Sequence, residues 1–307
     1  MHRTLIVIVL ALLGLFQNSA WSQRVADLKV RDQAVNRGTL FRVTQGGHSA
    51  WLFGTVHVGQ ASFYPLEPVV LGALAGADQV AVEFDINDRA ALQEALARHG
   101  MLTAPKTLQT AVSANTWMQL QAALKKANLP VDAVAQMKPW TVSTILLALA
   151  LEQHGFAREQ GIEVYLLAQA AKLGKPVVSL ESADYQLGLF DQLDDKQQEV
   201  FLRECLQSIT QGKLRQQSQQ VMDAWGRADS AAVEKLLDKE LAEHTVTADF
   251  TKRVLLAQRN PPMSASIAQL MENQASVFVA IGMLHLIGAD SVPKLLERRG
   301  YKVERIY

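Results

Sequence analysis

Short apolar runs alternate with helical patterns at both ends of this chain, and that alternation restricts its fold more than any other feature. At the N-terminal end, Gly38–Thr44 and Ser49–Thr55 flank a Gln45-Gly-Gly-His48 turn and read as a β-hairpin. A helix is predicted over Pro65–Gly76, with Leu66, Val69, Val70 and Leu74 on one side. Gln79-Val-Ala-Val-Glu83 follows, a short apolar run suited to a buried parallel strand. Asp88 caps the next helix, which ends near His99. Lys175–Leu180 reads as a further strand, ending at Glu181. At the C-terminal end, Ser276–Ile281 is the clearest strand in the chain. A helix over Ser291–Arg299 and a last strand, Tyr301–Ile306, complete the pattern. The predicted fold is α/β or α+β, with a mixed, largely parallel central sheet flanked by helices.

The middle of the chain is helical. Ser113–Ala127 is a capped helix, and Ile162–Lys172 is another that ends at Gly174. Pro139–Leu151 is the most apolar stretch beyond the N-terminus, yet too short for a membrane span, so it reads as a buried helix. From Ser182 to about Asn273 every pattern is helical, and Asp194–Glu243 is charged and rich in Gln. This places a large helical insertion, about residues 183–273, inside a single domain spanning residues 23–307. Apolar residues make up 49 % of the 307, ample for a large core. Cys205 is the single cysteine, so no intrachain disulfide exists. It lies in a helical pattern with no base nearby and reads as a small buried apolar residue.

The N-terminus is set apart. His2-Arg3 is a short basic region, and Leu5–Phe16 is an apolar run well short of the roughly 20 residues a span needs. Residues 1–22 read as a signal peptide, with cleavage after Ser22 or Ala20; an uncleaved anchor is the alternative. Export to a bacterial periplasm is the expectation, with no stable membrane span in the mature protein. The 30 basic and 30 acidic side chains balance, so no global field draws in nucleic acid.

Two strands run into the same turn. Trp51-Leu-Phe-Gly54-Thr-Val-His57 is one, and Phe278-Val-Ala-Ile-Gly282-Met-Leu-His285 is the other. In open α/β sheets ligands gather beyond the carboxyl ends of the strands, so both histidines belong on that rim. Glycine lets the chain leave the strand sharply or approach a ligand closely. Glu83 and Glu181 each end a strand, and Asp85 follows Glu83 by two residues. Two imidazoles and up to three carboxylates thus converge. Such a cluster suits metal-assisted hydrolysis, because neutral imidazole and carboxylate oxygen are ligands for zinc, manganese or cobalt. A metal-free version is also coherent, with one histidine, held by a carboxylate, activating water. A lone Gly-x-x-His arises often by chance, and a strand-end glutamate is often only solvated. The combination carries the argument.

Other residues are weaker candidates. Arg259 precedes Asn260-Pro-Pro262 at a helix end, where it would clamp a carboxylate, stabilise an oxyanion, or simply complement the helix dipole. Lys138, before Pro139-Trp140, would reach the pocket or remain exposed. His48 sits in a hairpin turn, and His99, His154 and His244 lie at helix ends. No Walker A loop, Gly-x-Ser-x-Gly elbow, His-Glu-x-x-His helix or Cys-x-x-Cys pair is present.

The matching pieces, in order, are Leu52-Phe-Gly-Thr-Val-His57, Val82-Glu83, Lys138-Pro-Trp140, Gly161 with its helix, Gly174-Lys-Pro, Leu180-Glu181, Arg259-Asn260 and Ile281-Gly-Met-Leu-His285. In this order and spacing they resemble the TraB/PrgY/GumN family, which includes the Tiki proteases, and are most similar to its bacterial GumN-like branch. The resemblance runs from about Gly38 to Tyr307. It implies a fold similar to the erythromycin-esterase and ChaN-like superfamily. From the Tiki members it implies a manganese- or cobalt-dependent peptidase whose site uses His57, His285 and Glu83. Arg259 and Asn260 match positions characteristic of the family. Ile162-Glu163 departs from the pattern, since many relatives have aspartate where Glu163 stands.

The expected function is therefore an exported metal-dependent hydrolase for a peptide or other amide. His57, Glu83 and His285 bind the ion, and His57, Glu83, His285, Glu181 and Arg259 form the catalytic set. The alternatives are a non-catalytic periplasmic protein that captures a peptide or signal in the same cleft, and a metal-free esterase-like hydrolase.

Overall fold

The chain turns back on itself at the first hairpin because Gly46 and Gly47 both adopt positive φ, which the two central residues of this tight turn require. The hairpin opens a computed structural model that describes residues 36–307; the expected signal peptide lies outside them. Strand β1 (Leu40–Gln45) pairs antiparallel with β2 (His48–Thr55), from Leu40 opposite Phe53 to Gln45 opposite His48. The remaining strands are β3 (Gln79–Val82), β4 (Val177–Ser179), β5 (Ser276–Gly282) and β6 (Lys302–Arg305). They form one six-stranded sheet in the order β4-β3-β5-β2-β1-β6. The pairs β4–β3, β3–β5 and β5–β2 are parallel, and β2–β1 and β1–β6 antiparallel. The fold is mixed α/β, as the alternation of patterns predicts.

The helices are α1 (Pro68–Gly76), α2 (Arg89–His99), α3 (Ala114–Lys126), α4 (Pro139–Gln153), α5 (Ile162–Lys172), α6 (Ala183–Gly188), α7 (Asp195–Thr210), α8 (Lys213–Gly226), α9 (Ser230–Leu241), α10 (Val246–Phe250), α11 (Asn260–Asn273) and α12 (Val292–Arg298). The two-residue side-chain period of the central strands divides them between two cores. Phe53, Val80, Val82, Phe278 and Ala280 face one cluster with α1, α4, α5, α7 and α8. Leu52, Ala81, Val277, Val279 and Ile281 face the other, with α11 and α12. Runs such as Val277–Ile281 are apolar throughout because both faces are covered.

Everything between β4 and α11 is helical or turn. This insertion is not a satellite: Leu202, Cys205, Met222, Trp225 and Leu237 belong to the main core. Burial pushes the Cys205 thiol up, which suits a buried packing residue and not a nucleophile. A third cluster centres on Trp140 stacked on Phe190, with ring centroids 4.2 Å apart, and on Phe201 and Phe250.

Several boundaries are shorter than predicted. The helix expected from Pro65 begins at Pro68, which takes the first helical position, where a missing N–H costs nothing. The strand expected over Lys175–Leu180 is only Val177–Ser179, a half-buried edge strand. Among the described residues, no helix is long and apolar enough to cross a membrane.

Candidate functional site

Register brings the strand ends together. Thr55 lies opposite Gly282, and Val82 lies opposite both Ala280 and Ser179. Residues that follow these positions emerge at one rim: His57 after β2, His285 after β5, Glu83 after β3 and Glu181 after β4. The edge continues as backbone pairing past the strands, because Glu181 N donates to Glu83 O at 2.8 Å.

The glycines explain how two turns share one place. Neither Gly54 nor Gly282 has a positive φ, so neither is there for a left-handed turn. A Cβ on Gly54 would lie 3.2 Å from Met283 Cα and 3.0 Å from Thr39 Cγ2. A Cβ on Gly282 would lie 3.0 Å from Glu83 Oε1, 3.7 Å from His285 Cδ2 and 4.0 Å from His57 Nε2. The first glycine lets the two turns touch, and the second lets a carboxylate and both imidazoles approach one point. Behind the first turn, Trp225 of the insertion donates from Nε1 to Gly54 O at 2.9 Å.

Glu83 is the hub. Its Oε1 accepts from Gly282 N at 2.7 Å, and its Oε2 from Arg259 Nη2 at 2.6 Å and Gln186 Nε2 at 3.1 Å. Burial alone would raise its pKa, but Arg259, the two histidines and the Gly282 N–H hold the carboxyl well below its usual range. Arg259 is 1 % exposed. It also grips Glu181 through Nη2 at 2.7 Å and Nε at 3.1 Å, and Gln186 Nε2 donates to the same Glu181 Oε2 at 2.8 Å. Arg259 is therefore a buried clamp on two of the protein's own carboxylates, not an exposed helix-end cation.

The two histidines have different supports. His57 Nδ1 is 3.0 Å from Glu163 Oε1, which also accepts from the Thr55 hydroxyl. Burial pushes His57 down, but the Glu163 carboxylate outweighs it with help from Glu83, and the net shift is upward from 6.5. Its Nε2 is buried and has no hydrogen-bond partner. His285 Nδ1 is 2.6 Å from Asn260 Oδ1. The amide orientation is pinned because Asn260 Nδ2 donates to Asp290 O at 2.8 Å. His285 therefore donates from Nδ1, and Nε2 carries the lone pair, 3.8 Å from Glu83 Oε1. Burial and the Arg259 and His57 charges drive its pKa down to about 3.

All five predicted site residues, His57, Glu83, Glu181, Arg259 and His285, lie in this cluster. Lys138 does not, and neither does Asp85, the third carboxylate expected there. Lys138 Nζ pairs with Asp191 at 2.6 Å, and Asp85 accepts from Asn87 N at 2.9 Å in its own loop. Gln186 is a participant that sequence reasoning misses; it stands five residues beyond Glu181 on the next helix, with no motif to mark it. Glu163 is a second. Its signal was Gly161, whose Cβ would come 2.5 Å from His57 O, a close approach that brings α5 onto the turn. Thr55, inside the first motif, supports the same carboxylate.

The donor set fits a divalent ion. Two imidazole nitrogens free of intraprotein partners, or nearly so, face a carboxylate oxygen with a lone pair to spare. His285 Nε2 and Glu83 Oε1 lie 3.8 Å apart, and these two residues with His57 would be the ones to hold such an ion. Among the described residues no group of three or more His, Cys, Asp or Glu side chains is spaced to hold a metal ion. The formal charges of Arg259, Glu83, Glu181 and Glu163 sum to minus two, which a divalent cation would balance and a proton on His57 would halve.

The chain belongs to the TraB/PrgY/gumN family, whose model matches residues 39–305. It is similar to the uncharacterized protein YbaP of Escherichia coli strain K12, 25 % identical over 272 residues that cover 84 % of this chain and 97 % of the relative. The YbaP protein of Shigella flexneri is similar to the same extent. No solved structure matches this chain.

Proposed function

We propose that this protein is an exported hydrolase that cleaves a peptide or other amide bond at the His57/Glu83/His285 cluster. The observation that carries the reading is the convergence of Glu83 Oε1, the His285 ring and the unpartnered His57 Nε2 about Gly282. Polar groups buried without partners are rare in folded proteins, and one aimed at a second imidazole and a carboxylate suits a missing reactant. Periplasmic placement rests on the Leu5–Phe16 run and the small residues after it.

His57, Glu83 and His285 would hold a divalent ion, with manganese or cobalt favoured by the family resemblance and zinc by the ligand types. Bound there, the ion would supply an acidified water and a polarised substrate carbonyl. The chain's own groups have separate tasks. Arg259 and Gln186 keep Glu83 ionised and oriented. Asn260 holds the His285 tautomer. Glu163 and Thr55 hold the His57 ring.

A metal-free reading is favoured by one observation, the His57–Glu163 pair. In that reading His57 Nε2 takes the proton from an attacking water, and Glu163 stabilises the resulting imidazolium. Metal analysis of the purified protein separates the two. The metal reading expects manganese, cobalt or zinc to bind the wild type and not a His57→Ala/Glu83→Ala/His285→Ala triple variant. Equal binding by both proteins sinks it. Full turnover of a substrate by a folded Glu83→Gln protein sinks the role given to Glu83 and, with it, the metal form of the reading.

A further inference from the structure

Glu83, Arg259 and His285 of the polar cluster form one end of a cavity. Thr55 and Thr251 aside, its other walls are hydrocarbon. Val221 of α8, Val233 of α9, and Leu255 and Leu256 of the π-helical segment Thr251–Gln258 come from the insertion; Val56 and Met283 come from the two strand-end turns. The free space is about 20 Å³. That is on the order of one small group, since a single water needs roughly 10–15 Å³.

Among the described residues, the only fully charged side chains at the cavity are Glu83 and Arg259, and each already has its counter-charge. A charged substituent placed against the valines and leucines would lose its hydration and gain no partner. A large ring would force apart walls that are buried and packed. A short alkyl group loses nothing by entering and brings apolar surface out of water.

We infer that this cavity is a specificity pocket for a short, uncharged aliphatic group of one to three carbons, attached next to the carbonyl that is attacked. The inference rests on the hydrolase reading for the reaction but not for the binding. Val233 and Leu256 set the size of the pocket from the insertion side. The insertion therefore chooses the substrate, and the sheet supplies the chemistry.

The test uses the full mature chain with labelled valine and leucine methyl groups. Propionamide and isobutyramide are titrated in, against succinamate as the charged analogue and benzamide as the bulky one. The expected result is shifts at the Val221, Val233, Leu255 and Leu256 methyls, with aliphatic amides binding roughly ten-fold or more tighter than the other two. Val233→Phe fills the pocket and abolishes the preference; if that variant fails to fold, Leu256→Phe serves the same purpose. Succinamate or benzamide binding as well as propionamide overturns the inference, as does the absence of methyl shifts from every aliphatic amide. The two readings fail separately. Aliphatic binding without turnover of any peptide leaves the pocket and sinks the hydrolase. Turnover of peptides carrying Asp or Lys beside the scissile bond as readily as Ala or Val sinks the pocket and leaves the hydrolase.

Discussion

His57 and His285 each stand three residues beyond a glycine, each after one of two neighbouring parallel strands. The resemblance stops at the ring. His57 turns Nδ1 to the Glu163 carboxylate, whereas His285 turns Nδ1 to the Asn260 amide. A carboxylate partner favours the protonated ring, and an amide partner does not. His57 is raised above 6.5 because Glu163 outweighs burial, whereas His285, whose partner brings no counter-charge, is lowered to about 3 by burial and Arg259. The motif fixes where an imidazole sits, but a residue from another element decides what that imidazole can do. Glu163 comes from α5 and Asn260 from α11, far from either turn in sequence.

The comparison holds only while the turns share an anchored carboxylate, so the largest effect is expected from removing the anchor. Arg259→Leu leaves Glu83 and Glu181 buried side by side without a counter-charge. Breaking a buried pair in this way costs about 3–5 kcal/mol. Urea unfolding of the variant measures it. A loss under about 1 kcal/mol would mean that water, not Arg259, compensates the two carboxylates.

Next come the glycines, which should fail for different reasons. Gly54→Ala presses a methyl against Met283 and Thr39, and Gly282→Ala presses one against Glu83 Oε1. Overpacking of this kind costs about 1–3 kcal/mol. The site should register only one of them. Gly282→Ala displaces Glu83 from the Gly282 N–H and changes the His285 resonance, while Gly54→Ala perturbs mainly stability. Equal effects on both imidazoles would show that the turns act as one unit.

Much of this was legible in the sequence because strands, their ends and glycines carry local signals. The apolar runs at Gln79–Val82 and Ser276–Gly282 declare buried strands, and a residue following such a strand must reach the rim. That logic placed His57, Glu83, Glu181 and His285. What supports them was less legible. Gln186 lies on a short helix with an ordinary pattern, and nothing local says its amide will bridge two carboxylates. Glu163 was visible only through Gly161 before it and as a departure from a family pattern. The roof of the cavity, Val221, Val233, Leu255 and Leu256, comes from helices whose apolar stripes announce burial but not against what. Tertiary packing decides that, and no local propensity records it.

Changing the partners is a milder perturbation and bears directly on the comparison. Asn260→Ala leaves the His285 Nδ1–H buried with no acceptor, at a cost of about 1–3 kcal/mol. Glu163→Gln keeps an acceptor for His57 and should cost about 1 kcal/mol. Asn260→Asp makes the second turn resemble the first. Its expected signature is a rise in the His285 pKa from about 3, followed by NMR of the ring. A His285 that stays put with a carboxylate beside it would show that Arg259 and burial, not the partner, set its state.

Near neutral pH the smallest effect is the pH dependence of stability in chelator-treated protein, where the two histidines contribute with opposite sign on either side of 6.5. His285 has a folded pKa of about 3 against an ordinary 6.5, so between those values the unfolded chain binds the extra proton. Its contribution is present above 6.5 and is lost as pH falls toward 3. Glu83, held low, adds to the same loss once pH falls below its ordinary 4.5. His57 has a folded pKa above 6.5, so its contribution is present below 6.5 and is lost as pH rises through the folded value. The site thus favours a stability maximum near 6.5 with two limbs of separate origin. Urea midpoints across pH should show His57→Asn flattening the alkaline limb and His285→Asn the acid limb. If one substitution flattens both limbs, the imidazoles titrate as a coupled pair, and the division of labour between the turns is wrong.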